Sequence, residues 1–264
     1  MFETLSIFKI GGKVIDDKDE LDVFLKNFAN IPGKKILVHG GGKWVSEMSR
    51  QLGIEVKMTN GRRITDERTL EVVTMILPGL ANKKIVAKLQ GYGCNALGLT
   101  GADGDTISAV KRPVINGLDF GFVGDIEKVE VSNVQSLIKS GFVPVFTAIT
   151  HDKNGQLLNT NADTIASALA VGLTKEYKVD LYYCFEKQGV LIDQDDDDSL
   201  ISKIHEGNYS KLKQEGIINA GMLPKVDNAF DAINAGVNRV HICHYKDVKF
   251  LSEGIDEFGT QISK

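Results

Sequence analysis

Two short apolar runs near the start of the chain end in the same way. Leu5-Ser6-Ile7-Phe8-Lys9-Ile10 stops at Gly11-Gly12-Lys13, and Ile36-Leu37-Val38-His39 stops at Gly40-Gly41-Gly42, each just ahead of residues with helical spacing. A strand that closes in glycines before a helix is how a parallel α/β sheet turns backbone N–H groups toward an anion. Glycine lets a ligand approach the backbone closely and takes positive φ without strain. Lys9 adds a cation at the end of the first run. One glycine pair alone serves as a plain strand end; two glycine turns and a lysine point to one phosphate site.

Composition narrows the class. With 264 residues, 42% hydrophobic and 25% charged, the chain is long enough for one large α/β domain or two lobes, and disordered and fibrous classes are excluded. A formal charge of -4 leaves no basic excess to bind nucleic acid by counterion release. No apolar stretch approaches the roughly 20 residues that span a bilayer. The start Met1-Phe2-Glu3-Thr4 lacks the basic region and apolar core of a signal peptide, so the expectation is a cytoplasmic protein with no membrane partner. Cys94, Cys184 and Cys243 are scattered without metal spacing and read as small buried side chains in a reducing compartment.

The remaining pattern alternates strands and helices. Leu21, Phe24, Leu25 and Phe28 recur at helical spacing before Pro32-Gly33, and Trp44, Val45, Met48 and Leu52 do so after Gly42. From Asp66 to Leu89 a long helical repeat is interrupted by Pro78-Gly79, a kink or a break, and its apolar face suits core or subunit contact. Strands are expected at Cys94–Leu99, Ile107–Val110, a glycine-punctuated hairpin at Phe120–Val131, and a doubly buried run at Phe142–Ile149. Asn154-Gly155 is a hairpin turn. The helix Thr164–Val171 follows Asn159-Thr160-Asn161-Ala162-Asp163, and the second half offers a strand at Val179–Phe185, helices at Ile201–Glu215 and Pro224–Ala235, and a strand at Val240–His244. The acidic run Asp193–Asp198 reads as a solvated loop, since adjacent aspartates cannot all face one ion.

Neither a Walker A loop nor a spaced Gly-x-Gly-x-x-Gly is present, so phosphate binding here uses another design. The candidates are the two glycine turns, Lys9, and Lys225 near the start of a helix. Arg62 and Arg63 offer planar forks suited to a carboxylate, and Asp163 is a candidate to hold lysines in place. Each of these taken alone also fits a surface charge or a helix cap. His241 and His244 read as packing or surface residues.

Lys9-Ile10-Gly11-Gly12, His39-Gly40-Gly41-Gly42, Asn60-Gly61-Arg62-Arg63-Ile64-Thr65, Asn159-Thr160-Asn161-Ala162-Asp163 and Gly221-Met222-Leu223-Pro224-Lys225-Val226 stand in one order. In that order and spacing the chain resembles the acetylglutamate kinases of arginine biosynthesis, from near Leu5 to Gly259-Thr260. The opening Lys-x-Gly-Gly is shared across the wider amino acid kinase family, and the Asn-Gly-x-Arg and Asn-x-Asn-Ala-Asp segments narrow the resemblance to the acylglutamate branch. It implies an α/β fold, a three-layer αβα sandwich around an open, mainly parallel sheet. Residues 1–172 would form an N-terminal lobe for acylglutamate binding and dimerisation, and 173–264 a C-terminal lobe for ATP with its Mg²⁺. The implied reaction transfers the γ-phosphoryl group to the side-chain carboxylate of an N-acylglutamate, acetyl or succinyl. Lys9 and Lys225 would stabilise the transition state, Gly12 and Gly41 would give N–H groups to the moving phosphoryl, and Asp163 would orient both lysines. Gly41, Gly42, Arg63 and Asn159 would hold the amino-acid substrate. No protein metal site is implied; a homodimer is expected through Asp66–Leu89, whose apolar positions exceed what one amphipathic face of a kinked helix needs.

The family pattern has Thr or Ser followed by Asp-Val where this chain reads Tyr183-Cys184-Phe185-Glu186-Lys187-Gln188-Gly189-Val190, which implies altered nucleotide contacts around Cys184–Gln188. Arginine-inhibited members carry an additional helix ahead of the first strand; the strand here begins near Thr4, so neither arginine feedback nor a hexamer is expected. Competing readings are another amino acid kinase, or a catalytically silent amino-acid sensor. Retention of both Lys9 and Lys225 argues against the sensor, because a pure binder needs neither.

Overall fold

The computed structural model describes residues 2–59, 61–193, 196, 198–218 and 222–264. Asn60 and Gly221 of the motifs, and Gln194, Asp195 and Asp197 of the acidic run, lie outside the described residues. The chain divides into two compact units, one made of Met1–Lys35 with Leu169–Lys264, the other of Ile36–Ala168.

Strand β1 (Thr4–Ile10) buries Leu5, Ile7, Phe8 and Ile10 and ends in the first glycine turn. After α1 (Lys13–Asp16), Asp17 caps α2 (Lys18–Asn30) by accepting from the Asp19 and Glu20 N–H groups, which places an acidic side chain where the helix has unpaired donors. Leu21, Phe24, Leu25 and Phe28 form the buried face of α2, as their spacing requires. Next come β2 (Lys34–His39) and α3 (Gly42–Gln51), which buries Val45 and Ser49 while Leu52 stays exposed. The short strands β3 (Met58–Thr59) and β4 (Arg62–Arg63) pair antiparallel.

Of the kink or break expected at Pro78-Gly79, the break does not occur: α4 (Glu67–Thr74) passes through a π-helical stretch, Met75–Ala81, into α5 (Asn82–Gly91). Proline has no N–H to donate and crowds the carbonyl one turn back, and a wider turn accommodates both.

Then follow β5 (Ala96–Leu99), β6 (Ile107–Lys111), β7 (Gly124–Val129), α6 (Val131–Lys139), β8 (Val143–Thr147), β9 (Ile149–His151) and β10 (Leu157–Asn159). Two expectations are corrected here. The hairpin expected over Phe120–Val131 is a single strand, β7, paired antiparallel with β6, preceded by isolated bridges at Gly121 and Val123, and Val131 opens a helix that buries Val134 and Ile138. The single run Phe142–Ile149 is two strands interrupted at Ala148. Asn154-Gly155 does turn β9 back onto β10.

The chain closes with α7 (Ala162–Gly172), β11 (Lys178–Phe185), β12 (Lys203–His205), α8 (Glu206–Gln214), α9 (Leu223–Asn234), β13 (Arg239–His244) and β14 (Thr260–Ser263). The helix expected from Ile201 starts only at Glu206, because Ile204 is buried in a strand whose register partner is Ile262 of β14.

In the first unit the strand order is β12-β14-β13-β11-β1, parallel except between β13 and β14. In the second unit β2-β8-β5 run parallel, and a separate sheet has the order β10-β9-β6-β7. The mainly parallel α/β class is therefore as expected. A division into residues 1–172 and 173–264 differs from the division by packing: β1 pairs along its length with β11, and this joins the first 35 residues to the C-terminal segments.

Candidate active site

The first glycine turn is built by β1 and β11. Their register sets Lys9 opposite Tyr183 and Ile10 opposite Cys184, so the ends of both strands deliver Gly11-Gly12 and Phe185-Glu186 side by side. Gly12 has φ 55° and ψ -137°, a conformation that a side chain would strain. Lys9 is buried and folds back over the turn; a Cβ on Gly11 would lie 2.9 Å from its Nζ. The Lys9 Nζ is 5.3 Å from the centroid of the Phe185 ring, and the Lys225 Nζ is 3.9 Å from the same centroid. Glu186 Oε1 accepts from the Lys13 N–H at 2.8 Å, which satisfies a donor in the first turn after the glycines. Lys9 and Lys225 are thus brought together over one aromatic ring, at the end of the strand that leads into Gly11-Gly12.

The second glycine turn has its own fixed backbone. Gly41 takes φ 137°, and a Cβ there would meet Leu77 Cδ2 at 3.0 Å. His39, the last residue of β2, is buried between this turn and α5. Its Nδ1 is 2.8 Å from the Gly40 carbonyl oxygen and its Nε2 is 3.0 Å from Asn82 Nδ2, which also donates to the Val145 carbonyl at 2.9 Å. Since the amide donates to Nε2, the ring is the Nδ1–H tautomer and donates to Gly40. Burial lowers its pKa to about 4, so the ring is neutral at pH 7.

Arg63 ties this turn to the substrate candidates. Its Nη2 donates to the Gly42 carbonyl at 2.8 Å and to Ser46 Oγ at 2.8 Å. Its Nη1 is buried with no hydrogen-bond partner among the described residues. Burial, then the nearby Arg50, lowers the Arg63 pKa from its ordinary value, but a guanidinium remains a cation in proteins. A buried guanidinium nitrogen without an acceptor suits an incoming carboxylate. Asn159 Nδ2 donates to Thr65 Oγ1 at 3.0 Å, and that hydroxyl donates to the Arg63 carbonyl at 3.2 Å. Gly42, Arg63 and Asn159 are therefore one connected set.

Asp163 sits in the first turn of α7 and does not cap it. Asn161 does so, its Oδ1 accepting from the N–H groups of Asp163 at 2.8 Å and Thr164 at 3.1 Å. No cluster of metal-ligating side chains occurs among the described residues. Sequence reasoning gave no role to His39, Ser46, Asn82 or Phe185. Signals existed for His39, which immediately precedes three glycines, and for Phe185, which lies in the segment that departs from the family pattern; none existed for Asn82, whose partners His39 and Val145 are distant in sequence.

Comparisons with known proteins place the chain in a family. Residues 4–244 match the amino acid kinase family, and the chain belongs to that family. Within it, the chain is similar to acetylglutamate kinases along its whole length. The acetylglutamate kinase of Cytophaga hutchinsonii is 52% identical over 260 residues, covering 98% of both chains, and that of Bacteroides thetaiotaomicron is 51% identical over the full length of both. Among solved structures, a Streptococcus mutans protein matches with a TM-score of 0.77 at 25% identity, covering 98% of both chains. Carbamate kinase from Giardia lamblia, bound to AMP-PNP, matches with a TM-score of 0.70 at 16% identity over 100% of this chain and 99% of that one, which shows the shared fold.

Proposed function

We propose that this chain catalyses the ATP-dependent phosphorylation of the side-chain carboxylate of N-acetyl-L-glutamate in arginine biosynthesis. Identity of about one half to acetylglutamate kinases over the full chain carries this reading. The connected set of Gly42, Arg63, Thr65 and Asn159 supports it, since a guanidinium and a side-chain amide match the α-carboxylate and the amide of an N-acyl amino acid.

The nucleophile needs no general base. A side-chain carboxylate with pKa near 4.3 is ionised at neutral pH. The obstacle is charge, because each like-charge pair about 4 Å apart at an effective dielectric near 20 costs about 4 kcal/mol. One carboxylate oxygen attacks the γ-phosphorus of ATP, the bond to the bridging oxygen breaks, and that oxygen leaves with the electron pair on ADP. Lys9 and Lys225 neutralise the charge that gathers on the equatorial oxygens, and the Gly12 and Gly41 N–H groups donate to them. Gly41, Gly42, Arg63 and Asn159 hold the acylglutamate, and Asp163 orients the two lysines. Mg²⁺ enters with ATP as part of the substrate. Residues 1–172 take the acylglutamate and 173–264 the nucleotide, with β1 contributing Lys9.

The protein acts in the cytoplasm as a homodimer joined through Asp66–Leu89. The π-helical stretch in that region leaves Met75 53% and Leu80 40% exposed, which supports an apolar contact there. A monomer by light scattering at micromolar concentration would remove the dimer.

The activity is tested by ADP release with N-acetylglutamate, with N-succinylglutamate, glutamate and carbamate in parallel. Turnover with N-acetylglutamate is expected. Turnover with N-succinylglutamate alone would change the acyl group, turnover with only the other acceptors would assign another amino acid kinase, and binding of acylglutamate without ADP release would leave a sensor.

A further inference from the structure

The geometry points to Phe185 as a positioning residue for phosphoryl transfer: its ring gathers the ammonium groups of Lys9 and Lys225, which come from β1 and from α9, beside the first glycine turn. This rests on the reading that the two lysines act on the moving phosphoryl group.

Phe185 ends β11, one residue beyond the Cys184 that pairs with Ile10, so the strand register fixes its backbone next to Gly11. Both ammonium nitrogens lie within the roughly 6 Å over which an aromatic face attracts a cation, Lys225 at 3.9 Å and Lys9 at 5.3 Å. Two cations brought to one place repel each other. The negative face of the ring offsets part of that repulsion, and it does so without engaging an N–H donor of either ammonium group. A carboxylate in this position would attract the lysines more strongly, but it would also add negative charge against a triphosphate. Glu186, the next residue, has its carboxylate on the Lys13 N–H. The pair Phe185-Glu186 therefore fixes both parts of the half-site, the ring setting the lysines and the carboxylate setting the backbone that follows Gly12.

The ring could instead serve only as packing, against Tyr183 for example, whose centroid is 6.5 Å away. Graded fluorination separates the two roles, because it drains the negative face while hardly changing ring size. Wild type is compared with protein carrying 4-fluoro-, 3,5-difluoro- and 3,4,5-trifluorophenylalanine at position 185. The expected result is a stepwise fall in kcat reaching about tenfold, with KM for N-acetylglutamate and the melting temperature nearly unchanged. A second readout does not depend on turnover. The side-chain CH₂ resonances of Lys225 are expected upfield in wild type through the ring current of Phe185, and at ordinary lysine positions in Phe185→Leu. A flat fluorine series, or no ring-current shift on Lys225, overturns the inference. Lys9→Met and Lys225→Met are the controls for the underlying reading. If both retain wild-type kcat, the roles of the lysines fall and this inference falls with them; if both lose activity while the fluorine series stays flat, only the role of Phe185 is overturned.

Discussion

Arg63 shows how one side chain divides its donors. Nη2 is spent on the Gly42 carbonyl and Ser46 Oγ, which fixes the plane of the guanidinium, and Nη1 is held buried beside them without an acceptor among the described residues. Lysine has a single nitrogen and cannot both anchor itself and bind bidentately. Arg63→Lys is therefore expected to raise KM for N-acetylglutamate by about ten- to a hundredfold, the loss of a charge-assisted hydrogen bond, with KM for ATP changed less than twofold. Equal changes in both constants would reassign the residue. The sequence offered Arg62 and Arg63 alike as forks. Burial distinguishes them, since Arg62 is exposed on β4 and Arg63 turns inward.

At the scale of an element, α7 separates two roles that the segment Asn159–Asp163 leaves superimposed in the sequence. Aspartate near a helix start is an ordinary cap, and so is asparagine. Here Asn161 makes both capping bonds, and Asp163 lies inside the first turn. Asn161→Ala is expected to cost about 1 kcal/mol of stability, the usual value of a lost cap, read from chemical denaturation. Asp163→Asn is expected to keep its stability and lose about a hundredfold or more in kcat, the cost of disturbing a preorganised electrostatic site. A kcat near wild type for Asp163→Asn would discard its role as organiser of the lysines. The elements that sequence periodicity identified best, α2 and the strands β1, β11 and β13, carry long one-faced or continuous apolar runs. Those it assigned wrongly are short, and their state is set elsewhere. Lys203–His205 is a strand because Ile204 finds β14, and Val131 begins a helix although only Glu130 separates it from the strand β7.

For the whole molecule, two fully buried imidazoles couple folding to pH. His39 and His241 have their pKa values lowered by burial from 6.5 to about 4. The unfolded chain therefore binds more protons than the folded one between those values, and stability rises with pH across that window. The contribution is complete above about pH 6.5 and is lost as the pH falls toward 4, on the order of 3 kcal/mol for each histidine at about 1.4 kcal/mol per pH unit. Denaturation measured from pH 7.5 to 4.5 should show stability falling with acidification, and His39→Gln should flatten part of that slope. A slope unchanged in His39→Gln would mean that His39 ionises freely in the folded protein.

The α/β class and the two glycine turns can be read from the residues alone, because apolar runs that end in glycine carry their local conformation with them, whereas the residues proposed for the reaction were singled out by the resemblance to acetylglutamate kinases. Tertiary structure decided what those residues touch. The pairing of β1 with β11 put the first segment of the chain in one unit with the last, and it set Phe185 beside Lys9. The packing of α5 placed Asn82 on His39 and so fixed the tautomer behind Gly40. Contacts of this kind join residues far apart in sequence, and their energy exists only after the strands have paired and water has been excluded from between them.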